Sequence, residues 1–157
     1  MLNPHYIVGF VDGEGCFSVS ISRLRFRIPE VRLIFEIELR EDDEAILRQI
    51  QDTLKCGSIY FLAYERYAKW RPHVKYKVAS FRDIRAKVIP FFKRYPLQAK
   101  KRSQFEFFCK VAEMIERNDH KTPEGVEAIR TLRDSYRKHR DSLDAGNPHV
   151  QWGGTGF

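Results

Sequence analysis

The most regular alternation in the chain is Val31, Leu33, Phe35, Ile37 and Leu39, with Arg32, Ile34, Glu36, Glu38 and Arg40 at the intervening positions. Residues two apart share a face of a strand, so one face enters a core and the other turns outward. Phe17, Val19 and Ile21 alternate in the same way with Ser18, Ser20 and Ser22. Beyond Ser22 the phase reverses: Leu24, Phe26 and Ile28 alternate with Arg23, Arg25 and Arg27. That reversal predicts a bulge or a strand end near Arg23, and Pro29-Glu30 marks a turn. Residues 58–66 and 73–81 read as a third and a fourth strand, joined by the basic, aromatic loop RYAKWRP.

Helical periodicity fills the rest. Asn3 and Pro4 read as an N-cap and a first helical residue, opening a helix to about Asp12. Asp42-Asp43 is placed to cap a helix with the apolar stripe Ile46, Leu47, Ile50 and Leu54, ended by Cys56-Gly57. A further helix carries Ile84, Val88, Ile89 and Phe92, kinked at Pro90 and broken at Tyr95-Pro96. Residues 101–117 put Phe105, Phe108, Ala112 and Ile115 on one face. Thr122-Pro123-Glu124 starts the last helix, which buries Val126, Ile129, Leu132 and Tyr136. The order is helix, two strands, helix, two strands, then helices. This predicts an α+β fold with an antiparallel sheet. The expected organisation is a single domain over residues 1–140, with residues 141–157 as a Gly-rich, polar, loosely ordered tail.

The 157 residues fit one domain, and the net charge of +7 favours a polyanionic partner. No apolar run approaches the roughly 20 residues that span a bilayer, and the N-terminal stretch lacks the pattern of a secretory signal. The expectation is an intracellular protein of the cytoplasm, nucleoid or an organelle, with no membrane partner. Cys16, Cys56 and Cys109 are odd in number and show no CxxC spacing, which argues against a disulfide framework or a zinc site.

Candidate chemistry gathers in Tyr6-Ile7-Val8-Gly9-Phe10-Val11-Asp12-Gly13-Glu14-Gly15-Cys16-Phe17. Gly9 and Gly13 lie four apart, on one helix face, where small residues let two backbones approach. Ile7, Val8, Phe10 and Val11 make the helix apolar nearly all round, so it must be buried against its own domain or a partner. Asp12 and Glu14 sit at the C-terminal end, where the helix dipole disfavours acids unless something compensates. Backbone N–H groups could satisfy Asp12, and a cation could satisfy Glu14. A calcium-loop reading fails: with Asp12 as position one, positions five, six and twelve hold Cys16, Phe17 and Arg23.

IVGFVDGEG resembles the nine-residue LAGLIDADG motif of the homing endonucleases, with Gly9, Asp12 and Gly15 identical and Glu14 in place of aspartate. The resemblance extends to the αββαββα order, up to about Arg117. The motif occurs once, as in the single-motif members of the family. It implies a saddle that pairs with its own copy through the motif helices, with Ile7, Gly9, Phe10 and Gly13 at the homodimer interface. The curved sheets would grip double-stranded DNA, and Mg2+ or another divalent cation would serve cleavage of both strands at a long, nearly palindromic site. By the same resemblance Glu14 is the metal ligand and Asp12 the structural acid. Lys100 is the lysine near the scissile phosphate, with Lys101 the alternative. Leu39 and Asp43 depart from the family's pattern: Glu38 or Arg40 substitutes for a water-orienting residue, the water network differs, or the chain binds without cutting.

The outward strand face would present Ser18, Ser20, Ser22, Arg32, Glu36, Glu38, Arg40, Tyr60, Tyr64, Lys75 and Lys77 to DNA. The flexible ends add Arg23, Arg25, Arg27, Arg66, Lys69 and Arg71. Such a mixture suits base-edge reading in a major groove, with Arg and Lys also serving phosphates. A strand of about ten residues spans ~33 Å, which covers about ten base pairs at ~3.4 Å each. The alternative to an intron-encoded DNA endonuclease is a non-cleaving nucleic-acid binder, either an RNA-splicing maturase or a DNA-binding regulator.

Overall fold

A computed structural model of the chain describes residues 1–23, 27–63 and 71–145. Helix α1 spans Pro4–Glu14, and the Asn3 side chain caps it by accepting the His5 N–H at 2.8 Å. Strands β1 (Gly15–Ile21) and β2 (Val31–Arg40) follow as an antiparallel pair. The predicted phase reversal coincides with the end of β1. There Ser22 closes the hairpin: its N–H donates to the Glu30 carbonyl and its Oγ accepts the Glu30 N–H, both at 2.9 Å. A 3-10 turn (Glu41–Asp43) leads into α2 (Glu44–Leu54), followed by β3 (Ser58–Leu62) and β4 (His73–Val78). The sheet order is β1-β2-β4-β3, every pair antiparallel.

Several boundaries differ from the sequence expectation for local reasons. Asp43 makes no side-chain cap bond to α2, and the Asp42 carboxylate instead faces Arg40 at 3.2 Å and Arg71 at 3.8 Å. Helix α2 ends with Lys55 in the left-handed region (φ +57°), ahead of the expected Cys56-Gly57. Gly57 is needed two residues on, at φ +81°, where a Cβ would lie 2.6 Å from the Tyr76 ring and 2.9 Å from the Lys77 carbonyl. Strand β4 stops at Val78, and Phe81 begins a helix because Ser80 Oγ accepts the Asp83 N–H at 3.4 Å.

That helical stretch runs through α3 (Phe81–Asp83), a π segment (Ile84–Val88) and α4 (Ile89–Arg94). Pro90 has no N–H to give and its ring crowds the preceding turn. The wider π turn just before it accommodates both effects without breaking the helix. Helices α5 (Lys101–Glu116) and α6 (Pro123–Ala145) complete the chain. Helix α6 continues past Asp141, where the tail was expected to begin, and residues 146–157 lie outside the described residues.

The helices cover one face of the sheet. Phe17, Leu33, Phe35, Ile37, Val74, Tyr76 and Val78 point into that side and are buried. Phe17 is the hub, with ring centroids of Phe35 at 4.9 Å, Phe105 at 5.1 Å, Phe108 at 5.3 Å and Phe92 at 5.4 Å. It therefore joins β1 and β2 to α4 and α5. Tyr76 is fully buried, and its hydroxyl donates to the Cys56 carbonyl at 2.9 Å, which fixes the start of β3 against β4. Replacing Phe17 by Ala should lower the unfolding free energy by about 3–5 kcal/mol, read from the midpoint of a denaturant titration.

Candidate nucleic-acid interface and acidic site

The sequence 12–15 turns a buried helix into an edge strand within one step. Gly15 permits this, since a Cβ there would lie 2.5 Å from a Val11 methyl and 2.9 Å from its carbonyl. Asp12 does not face solvent as an idle acid. Its Oδ2 accepts the Gln98 N–H at 2.9 Å and its Oδ1 accepts the Ala99 N–H at 3.2 Å. The expected backbone partners of Asp12 are therefore supplied by the segment just before α5. That bond pair brings Lys100, at the head of α5, to the end of α1 where Glu14 lies.

Glu14 is exposed and makes no hydrogen bond or ion pair with the described residues. Lys100 is exposed and Lys101 half-buried. Among the described residues no three His, Cys, Asp or Glu side chains cluster to hold a metal. Among the described residues this end of α1 thus lacks a full set of oxygen ligands, so a divalent cation at Glu14 would need further oxygens from outside the unit. Cys16, two residues on, is half-buried. Burial pushes its thiol above the ordinary value, Glu36 adds to the rise, and Lys101 and Lys75 oppose it. A thiol raised in this way stays protonated at neutral pH.

The opposite face of the sheet carries the polar set. Register places Ser18 beside Ile34, Ser20 beside Arg32, Glu36 beside Lys77 and Glu38 beside Lys75, with Tyr60 next to Lys75 on β3. At the centre Lys75 sits 3.5 Å from Glu36 and 3.6 Å from Glu38, and His73 lies 3.7 Å from Glu38. The cations Arg23, Arg27, Arg32, Arg40 and Arg71 are exposed around this strip. Arg32 pairs with Glu30 at 2.9 Å. Ser22 is exposed too, but its Oγ is engaged in closing the hairpin. Arg25, Tyr64, Arg66 and Lys69 lie outside the described residues. Ile34 shares the polar face as its alternation implies, and Cys16, Ser58, Leu62 and His73 share it by register and were not expected there. Register with β2 and β4 was the missing information.

Helix α1 has two apolar sides. Ile7, Val8 and Val11 are buried in the chain's own core. Ile7 was expected at a partner interface, but it is fully buried, and Tyr6 occupies the exposed side instead, 52% exposed. Tyr6 stacks on Phe10 with centroids 6.2 Å apart. A Cβ added at Gly9 or Gly13 would meet nothing within 4 Å. Among the described residues nothing covers Tyr6, Gly9 and Gly13, which form an outward face with the half-buried Phe10 at its edge.

One further bond ties the site together. The Phe17 N–H, on edge strand β1, donates to Gln104 Oε1 at 3.1 Å. Sequence patterning gave no hint of it, because a polar residue one turn into α5 reads as solvated.

The family model described as LAGLIDADG endonuclease matches residues 7–112. The chain is 32% identical over 149 residues to the Neurospora crassa protein named "Probable intron-encoded endonuclease 2", covering 92% of this chain and 30% of that protein. It is 30% identical over 135 residues to "Probable intron-encoded endonuclease 3" of the same organism, covering 83% and 24%. Among solved structures it is similar to the I-SmaMI LAGLIDADG homing endonuclease bound to cleaved DNA, with TM-score 0.74, 31% identity and coverage of 83% of this chain and 42% of that one. The I-LtrWI LAGLIDADG homing endonuclease bound to target DNA gives TM-score 0.74, 30% identity and coverage of 83% and 43%. The chain spans less than a third of these curated relatives and under half of these solved chains.

Replacing Asp12 by Ala removes the partner of two backbone N–H groups. It should cost about 1–2 kcal/mol of stability, measured by chemical denaturation.

Proposed function

Because the chain belongs to the LAGLIDADG endonuclease family, we propose that it cuts both strands of a long, nearly palindromic DNA site as a homing endonuclease. The observation that carries this reading is the exposed Glu14 at the end of a helix whose outer apolar face is unpacked. A second copy of the unit, paired through Tyr6, Gly9, Phe10 and Gly13, would bring two such carboxylates together at a two-fold axis. A homodimer is the simplest way for this chain to supply that copy. Residues 1–140 would form the working domain. DNA is an intracellular substrate, and no helix among the described residues is long and apolar enough to cross a membrane.

Glu14 and its counterpart would hold a divalent cation, Mg2+ in the first instance, together with phosphate oxygens of the DNA. Such a cation, when bound, supplies Lewis acidity at the scissile phosphate. The chain's own groups do the rest. The outward face of β1, β2, β4 and β3 sets the register of the duplex through Ser18, Ser20, Glu36, Glu38, Tyr60, Lys75 and Lys77. Arg23, Arg27, Arg32, Arg40 and Arg71 bind backbone phosphates at its margins. Lys100 places its ammonium near the scissile phosphate, where it stabilises the developing charge or orients the attacking water.

Two measurements test this reading. Duplexes of about twenty base pairs, selected from random sequence for binding, should be cut at one position on each strand in Mg2+. Glu14→Gln should slow that cleavage at least about 1000-fold while changing the affinity less than about threefold. Native-rate cutting by this variant would remove Glu14 from the chemistry. For pairing, Gly9→Leu should leave the chain folded, since its side chain enters open space. Sedimentation should show the paired species of the native protein replaced by monomer.

A further inference from the structure

We propose that Gln104 is a positioning residue for cleavage, one that holds Glu14 and Lys100 in fixed relation; this rests on the functional reading above. The segment that carries Glu14 is fastened on both sides of it. Upstream, the Asp12 carboxylate accepts the N–H groups of Gln98 and Ala99 at 2.9 and 3.2 Å. Downstream, the Phe17 N–H donates to Gln104 Oε1 at 3.1 Å. Lys100 is fastened in the same way from its own side, because it lies between Ala99 and Gln104 in the chain. The two fastenings run in opposite senses. In one, a side chain of the first segment accepts from the backbone of the second. In the other, the backbone of the first donates to a side chain of the second.

The Phe17 amide has no ladder partner to fall back on. Strand β1 is at the sheet edge, and this N–H points away from β2, toward the first turn of α5. Phe17 itself is 2% exposed, so water is a poor substitute at this amide. Without the Gln104 oxygen, the Asp12 carboxylate would carry the remaining described hydrogen bonds between the two segments, and Phe17 would be held to α5 by ring packing on Phe105 and Phe108 alone. Ring packing fixes the Phe17 side chain but not the direction of its N–H, so the backbone between Asp12 and Phe17 can shift at the turn, and Glu14 with it. Misplacement of a reacting group by about 1 Å costs a rate on the order of 100-fold. The DNA-reading face of β1, β2 and β4 is unaffected by such a pivot, so affinity and rate should separate.

The test compares Gln104→Leu, which removes the acceptor, with Gln104→Glu, which keeps an oxygen at the same reach. Three quantities are read: the single-turnover cleavage rate at saturating protein in Mg2+, the affinity for the same duplex in Ca2+, and amide exchange at Phe17. Gln104→Leu should cut about 30-fold more slowly, bind within about threefold of native, and exchange its Phe17 amide at least about tenfold faster while Phe35 and Val74 stay protected. Gln104→Glu should restore the rate to within about threefold. A Gln104→Leu protein that cuts at the native rate despite a deprotected Phe17 amide would overturn the assignment. So would a Gln104→Glu protein as slow as Gln104→Leu. Should Gln104→Leu fail to fold, Gln104→Asn, one methylene too short, decides the matter: a native rate for it also overturns the assignment. Running Glu14→Gln in parallel separates the two readings. If that variant still cuts, the functional reading has failed; if it is inactive while Gln104→Leu is fully active, only the role of Gln104 has failed.

Discussion

A helix that is apolar on two sides has to be covered on both, and the domain covers only one side of α1. Ile7, Val8 and Val11 are spent on the core, and Gly9 and Gly13 look into open space. This asymmetry organises the rest of the molecule. The helix cannot tilt, because its inner side is wedged against β1 and β2. Its end cannot fray, because Asp12 is bonded to the segment before α5. The acid at its tip therefore stands at a reproducible place relative to the outward face. The same argument explains why Phe17, three residues beyond that acid, packs at once on Phe35, Phe92, Phe105 and Phe108. The strand that leaves the site is anchored at once.

The division of labour across the sheet follows from pleating alone. One side of each strand is given to packing and the other to polar groups, so the core and the polar face are made by alternate residues of the same strands. The order β1-β2-β4-β3 puts the ladder between β2 and β4 at the centre. There Glu36, Glu38, Lys75 and His73 meet.

Much of this was readable in the chain before any coordinates. The alternation of Val31 to Leu39, the cap at Asn3, the breaker at Tyr95-Pro96 and the stripe of α5 each state a local rule that the fold obeys. The motif around Asp12 and Glu14 stood out because glycines within an apolar helix and paired acids at its C-terminal end are costly unless they have a use. What the chain concealed was long-range. Ile7 looks as suited to an interface as Phe10, and only the position of β1 and β2 decides that it faces inward. Asp43 looks like a cap, but the 3-10 turn carries the acids toward Arg40 and Arg71. Gln104 carries no periodic signal, since its partner is 87 residues away in sequence.

Under the proposed function, the strip formed by Glu36, Lys75 and Glu38 would have a consequence for discrimination. In the free protein each of these charges already has a neighbour of opposite sign. A base pair that offers Lys75 an acceptor and a glutamate a donor replaces those attractions at little loss. One that offers neither separates the charges and strips their water without return. On that reading wrong sequences would be turned away by what they fail to give back, and fidelity would reside as much in the resting pairs as in the contacts of the bound state.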